Sequence, residues 1–188
     1  MDASLLQFIS QYVTLTDDEA DALMRLDLIR RYPKQTTLLR TGETTRNSFF
    51  VLQGCVVRYY LVDGERKVTA IYTEHESIGP PVGPSPYELY VIEDSVLSVA
   101  DDETTARYLQ QFPKLETMCR MMAEQMLLKS QVSFDQYRTT TPEQRYQRLE
   151  AERPDLLQRV PQYYLASYLG IRPESLSRIR KRLATQAA

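Results

Sequence analysis

Histidine, cysteine and tryptophan are scarce or missing in this chain of 188 residues. The single histidine, His75, excludes a zinc or iron centre built within one chain on two or more histidines. A Ser-His-Asp triad would have to use it, and no G-x-S-x-G elbow accompanies it. Two cysteines, Cys55 and Cys119, are too few for a four-thiolate iron–sulfur cluster and form no C-x-x-C pair. They read as two small buried residues in a reducing compartment. No run of about 18 apolar residues exists, so no membrane-spanning helix is expected. Met1 to Ser10 contains Asp2 and no Lys or Arg, so no secretory signal is expected and the cytoplasm is the expected location. Catalytic residues, metal ligands and a cofactor are all expected to be absent, and the chain does not read as an enzyme.

What is present is ordinary in amount and uneven in arrangement. Hydrophobic residues make up 43% and charged residues 26%, as in a globular protein of one large or two small domains. The formal net charge is −2. From Arg138 onward, ten Arg/Lys face five Asp/Glu, leaving 13 basic and 20 acidic residues before it. An acidic body with a basic C-terminal end suits either a polyanion partner or a solvated basic helix.

Three textures follow one another. Ser4 to Val13 reads as a short helix. Thr16-Asp17-Asp18-Glu19 reads as the capping box of a second. From about Leu28 to Ala100, short β-prone runs alternate with the turn signals Thr41-Gly42, Gln53-Gly54 and Asp63-Gly64, which argues for a sandwich or barrel with a hairpin at Asp63-Gly64. Gly79-Pro80-Pro81-Val82-Gly83-Pro84-Ser85-Pro86 cannot be regular structure, because its prolines lack N–H donors. Beyond Asp101, a good N-cap, the pattern is helical. A long helix is expected over about Pro113 to Tyr137, holding four of the six methionines. Leu115, Met118 and Met122 follow the spacing of a coiled-coil seam, which fits core packing, a dimer interface, or both on different faces. Thr139-Thr140-Thr141 breaks the pattern, and Thr141-Pro142 with Gln144 starts another helix.

Gln162 to Leu183 carries the functional signal. A helix-turn-helix needs a small residue where its helices cross, which Ala166 supplies, and a residue tolerant of positive φ in its turn, which Gly170 supplies. Leu165, Leu169, Ile171, Leu176 and Ile179 would pack the pair, and Pro173 suits the first position of the second helix. That helix presents Glu174, Ser175, Ser177, Arg178 and Lys181. Arg178 can donate twice to guanine and Glu174 can accept from cytosine. An i, i+4 salt bridge between these two is the competing role. Arg172, Arg180, Lys181 and Arg182 suit phosphates.

These residues resemble the Crp/Fnr superfamily of transcription regulators. Leu39-Arg40-Thr41-Gly42-Glu43, Phe50 to Arg58 and Asp63-Gly64-Glu65 resemble its cyclic-nucleotide-binding barrel. Leu165 to Ile171 and Pro173 to Arg180 resemble its DNA-binding end. The resemblance implies an α+β chain: an antiparallel β-barrel or jelly roll with flanking helices over 1–112, a dimerisation helix over 113–138, and an all-α helix-turn-helix domain over 139–188. It implies a homodimer on double-stranded DNA, with RNA polymerase as a further candidate partner. Arg172, Glu174, Ser175, Ser177, Arg178, Lys181 and Arg182 are the expected DNA-binding residues.

Two departures from the family pattern stand out. Relatives that bind cyclic nucleotides supply Gly-Glu to the ribose and Arg-Ser to the phosphate. Here Pro80 follows Gly79, and no Arg or Lys lies between Lys67 and Arg107, so a cyclic phosphate would lack its cationic partner. The second is Pro173, where many relatives place a base-reading Arg. The chain also stops soon after Leu183, so no following β-hairpin wing is expected. Tyr59, Tyr60 and Tyr72 fit either a pocket for another effector, whose identity is open, or the core. The alternative from another class is a small-molecule-binding adaptor that signals through protein contacts.

Overall fold

The computed structural model describes residues 3–186; residues 1–2 and 187–188, the outer ends of the expected segments, lie outside them. Two short helices come first, α1 (Ala3–Ile9) and α2 (Asp17–Met24). The capping box of α2 forms as expected: Glu19 N donates to Thr16 Oγ1 (3.2 Å) and Thr16 N to Glu19 Oε2 (2.7 Å). The first helix ends at Ile9, shorter than its apolar pattern suggests.

Eight strands follow: β1 (Ile29–Tyr32), β2 (Thr37–Leu39), β3 (Ser48–Gln53), β4 (Val56–Val62), β5 (Glu65–Tyr72), β6 (Ser77–Ile78), β7 (Glu88–Val91) and β8 (Ser95–Ala100). They form two four-stranded sheets, β1-β8-β3-β6 and β2-β7-β4-β5. That is a jelly-roll order. The antiparallel register sets Phe49 opposite Val99 and Arg30 opposite Leu97. Val51, Val56, Val91 and Leu97 are fully buried. Asp63 (φ 53°) and Gly64 (φ 77°) make the two-residue turn between β4 and β5, both in the left-handed region that a type I′ hairpin requires.

The remaining elements are helical: α3 (Asp102–Gln111), α4 (Pro113–Thr139), α5 (Pro142–Glu152), α6 (Pro154–Arg159), α7 (Gln162–Tyr168) and α8 (Pro173–Gln186). Asp101 caps α3 through Thr104 N (2.7 Å). Thr141 and Gln144 cap α5 reciprocally. None of the described helices is long and apolar enough to cross a membrane.

Packing divides the chain into two compact units. One holds the residues up to Val57 and Tyr72–Leu127; the other holds Arg58–Ile71 and the residues from Leu128 on. In the first, Ile9, Leu23, Phe112, Leu115 and Met118 form a buried cluster. The seam residues Leu115 and Met118 are therefore core, with Met122 packed against them. Met121 of the same unit is exposed, roughly a quarter-turn around α4 from that face at 3.6 residues per turn, and Leu128 and Val132 of the second unit are exposed as well.

Candidate nucleic-acid interface

Helix α7 ends because Gly170 takes φ 73°, a conformation that costs a glycine little. Ile171 N then bonds back to Ala166 O (2.9 Å) and Gly170 N to Ser167 O (3.0 Å). This 6→1 and 5→2 pair is a Schellman motif, which stops a helix and redirects the chain. Two residues on, Pro173 opens α8, where its missing N–H has no intrahelical partner to lose. Ala166 is fully buried, and Leu165, Leu169, Leu176 and Ile179 are buried around it; Ile171 is only half-buried. The helix-turn-helix geometry read from the sequence is therefore present.

The turn is tied to the end of α4 by one side chain. Arg145 of α5 donates from Nε and Nη2 to Leu169 O (3.2 and 3.0 Å) and from Nη1 to Tyr137 O (3.1 Å) and Thr140 O (2.5 Å). Its guanidinium also lies 4.5 Å from the centre of the Tyr137 ring. A rigid fork of donors suits three carbonyls left over at helix ends, and a lysine would not replace it. Sequence reading counted Arg145 only as a positive charge.

Along α8, Glu174, Ser177, Arg178 and Lys181 fall at i, i+3, i+4 and i+7 and are all exposed, opposite the buried Leu176 and Ile179. Arg172 is exposed before the helix, and Ser175 is half-buried. The competing Arg178–Glu174 salt bridge does not form: Arg178 Nη2 donates to Ser175 Oγ (3.3 Å). Arg182 is exposed but already held, bonding from Nε to Glu143 Oε1 of α5 (3.1 Å). Arg180 lies beside the Tyr146 hydroxyl, whose pKa burial raises first, with Glu150 adding to it. Thus Arg172, Arg178 and Lys181 are the cations of this face least committed to structure.

Gln162 and Tyr163 join Glu174 and Ser177 around a shallow depression, an addition the sequence reading missed. Tyr163 is 52% exposed, while its neighbour Tyr164 is 1% exposed. Tyr164 receives a hydrogen bond from Arg66 Nη1 (3.0 Å). Burial pushes its hydroxyl up to about 12, with the Tyr163 hydrogen bond contributing next. Within the same unit, Ser167 Oγ accepts from Val68 N (2.9 Å) and donates to Arg66 O (2.9 Å). The β4–β5 hairpin, with β5 at the edge of its sheet, is thereby pinned to α7. Such a bond gives an edge strand's open N–H and C=O groups a partner. The Arg66 guanidinium lies 4.9 Å from the centre of the Tyr59 ring. Tyr59 is thus a core residue, resolving one of the three tyrosines whose role the sequence left open.

The β6–β7 loop runs irregularly through its prolines. Ser85 is buried and hydrogen-bonded within the loop, donating from Oγ to Tyr87 O (2.7 Å) and accepting from Tyr87 N (3.3 Å). Its backbone is tied to Gly42 and Glu43 by two 2.8 Å bonds. A cyclic phosphate would find here neither a cation within the segment nor a free serine hydroxyl.

Residues 29–112 match the cyclic nucleotide-binding domain family. This segment and the helices after it share the fold of solved Crp/Fnr-type regulators. CLP of Xanthomonas campestris, a c-di-GMP-responsive global regulator, superposes with a TM-score of 0.69 at 18% identity, over 92% of this chain and 93% of that one. FixK2 of Bradyrhizobium japonicum gives 0.67 at 19%, over 85% of each. A variant of CooA from Carboxydothermus hydrogenoformans gives 0.70 at 17%, over 88% and 79%. No curated protein sequence matches the chain. The α+β class expected from the sequence, an antiparallel jelly roll followed by helices, is the observed one.

Proposed function

We propose that the protein is a cytoplasmic, sequence-specific DNA-binding transcription regulator that acts as a homodimer. The observation that carries this reading is the exposed stripe Glu174, Ser177, Arg178 and Lys181 on the second helix of a helix-turn-helix. Arg178 and Glu174 read base edges; Arg172 and Lys181 hold phosphates, as does Arg182 once it leaves Glu143. Ser175 and Ser177 contact the DNA near the start of the helix, and residues 139–188 form the DNA-binding segment. Residues 1–112 are the sensor and 113–138 the dimerisation helix, paired through Met121, Leu128 and Val132. RNA polymerase is a further partner of a regulator of this kind. The loop around Ser85 supports a sensor that does not answer to cyclic AMP. The chain has no catalytic role in this reading.

The test is fluorescence anisotropy on fragments selected from the source genome, across a range of salt. Affinity should fall steeply with salt as counterions are released. Arg178→Ala should cost about 1–3 kcal/mol on the preferred site and relax specificity at one position. Lys181→Ala should weaken all sequences alike and lower the salt slope by about 1. Absence of binding at low salt would refute the reading and favour the adaptor alternative, and identical behaviour of the two variants would refute the division between base and phosphate contacts.

A further inference from the structure

The first compact unit contains a pocket of about 290 Å³ that the proposed function does not use. Its floor is the sheet face formed by Ser48, Phe50, Ser98 and Ala100. Leu5 and Phe8 of α1 form one wall, and Met118, Met122, Ala123 and Met126 of α4 form another. Tyr59, Tyr60 and Tyr72, the sequence's candidates for an effector pocket, do not line it. Nor do Pro80–Pro86 of the β6–β7 loop, where relatives hold a cyclic phosphate.

Three features define what would fill it. No charged side chain lines the pocket, so a charged ligand would lose its hydration without compensation. Aromatic rings and thioethers dominate: Phe8 lies against Phe50 with ring centres 4.7 Å apart, and three methionines face them across the pocket. Ring edges and polarisable sulfur favour aromatic guests, and methionine adapts to their outline. Polar contact is limited to a few hydroxyls, Ser48, Ser77, Ser98, Thr105 and Tyr108, with the Tyr108 hydroxyl paired to the Cys119 thiol. An apolar cavity of about 150 Å³ takes up benzene, so this volume suits about two rings.

We propose that this pocket binds an uncharged aromatic molecule of one to two fused rings bearing a single hydroxyl or similar group. The ring system packs between Phe8, Phe50 and the α4 methionines, and its polar group meets the serine hydroxyls of the floor. Because α4 supplies a wall and runs on to Thr139, the guest is the effector of the regulator proposed above. The binding site itself is independent of that reading, and the test is made without DNA.

The probe is 2-naphthol, titrated calorimetrically into the full chain alongside 2-naphthoate, its charged counterpart. Saturable 1:1 binding of 2-naphthol, at least tenfold tighter than 2-naphthoate, is expected. Ala123→Phe and Ala100→Leu, which fill the pocket from a helix and from a strand, should each weaken 2-naphthol at least tenfold. Far-UV circular dichroism must match the unaltered chain for a variant to count, and the exposed position of Ala123 makes it the safer of the two. Absence of saturable heat, equal binding of the two probes, or unchanged binding in the folded variants would each overturn the proposal. DNA affinity measured with and without 2-naphthol then separates the site from its effect: binding with no change in affinity would leave the pocket standing and remove its role as effector site.

Discussion

Gly170→Ala tests the turn that joins α7 to α8. An alanine at φ 73° enters the left-handed region, which costs roughly 1–2 kcal/mol. The added Cβ would also stand 2.4 Å from Tyr137 Oη and 3.2 Å from its Cζ. Tyr137 is half exposed and can swing aside, so this overlap is relieved at the cost of its contact with Arg145, about 0.5–1 kcal/mol. Backbone strain is therefore the larger effect, and the sum is about 2 kcal/mol. Because the two units need not unfold together, local hydrogen exchange is the suitable assay. Amides of α7 and α8 that exchange through unfolding of their unit should do so about thirtyfold faster, while those of β3 and β8 stay unchanged. Gly170→Asn should lose about half as much, since asparagine tolerates this conformation better. An effect below threefold for Ala, or full recovery on adding Tyr137→Ala, would show that backbone conformation does not control the turn.

Other consequences follow from the same contacts. Arg145→Met keeps the bulk but strips donors from the carbonyls of Leu169, Tyr137 and Thr140; a loss of about 2–4 kcal/mol in the stability of this unit is expected from charged hydrogen bonds of this kind, and urea denaturation of the pair Arg145→Met and Arg145→Lys would show neither matching the original. Thr16 N–H and Lys114 hold the Glu19 carboxylate below its ordinary value of 4.5, so its contribution is present above that value and lost as pH falls through the lowered one. Thermal melts between pH 6 and 3 should decline less for Glu19→Gln than for the unaltered chain. Tyr164 has the opposite sign: its pKa is raised from 10.0 to about 12, so stability is complete below pH 10 and falls as pH rises through about 12. Tyr164→Phe should remove that alkaline loss. Leu128→Lys should shift the chain to monomer in light scattering if α4 pairs the copies, and an unaltered dimer would place the interface elsewhere.

How far the sequence was legible depended on the distance between interacting residues. The span from about Leu28 to Ala100, read as short strands, is where the strands form, because alternation and turn residues act within a few positions. The two-residue strand β6 was missed, being too short to show alternation. The exposed stripe of α8 was legible because Pro173 sets the helix phase and one helical period assigns each side chain to a face. The Arg178–Glu174 spacing was legible too, yet Arg178 turned to Ser175, a choice between neighbours that spacing leaves open. The seam of α4 left core packing and a dimer interface open for a related reason: periodicity reveals an apolar face but not what covers it, and Leu115 and Met118 pack with the N-terminal helices.

Local chemistry alone determined the caps at Thr16 and Thr141, the Asp63-Gly64 hairpin and the Gly170 turn, because each is settled by hydrogen bonds and backbone angles within about five residues. Tertiary structure alone decided that Tyr164 turns inward while Tyr163 faces out, that Ser167 meets the edge of a strand 99 residues away, and that an uncharged pocket opens beside α4. Those outcomes depend on how whole surfaces fit together, and no local pattern of residues carries that information.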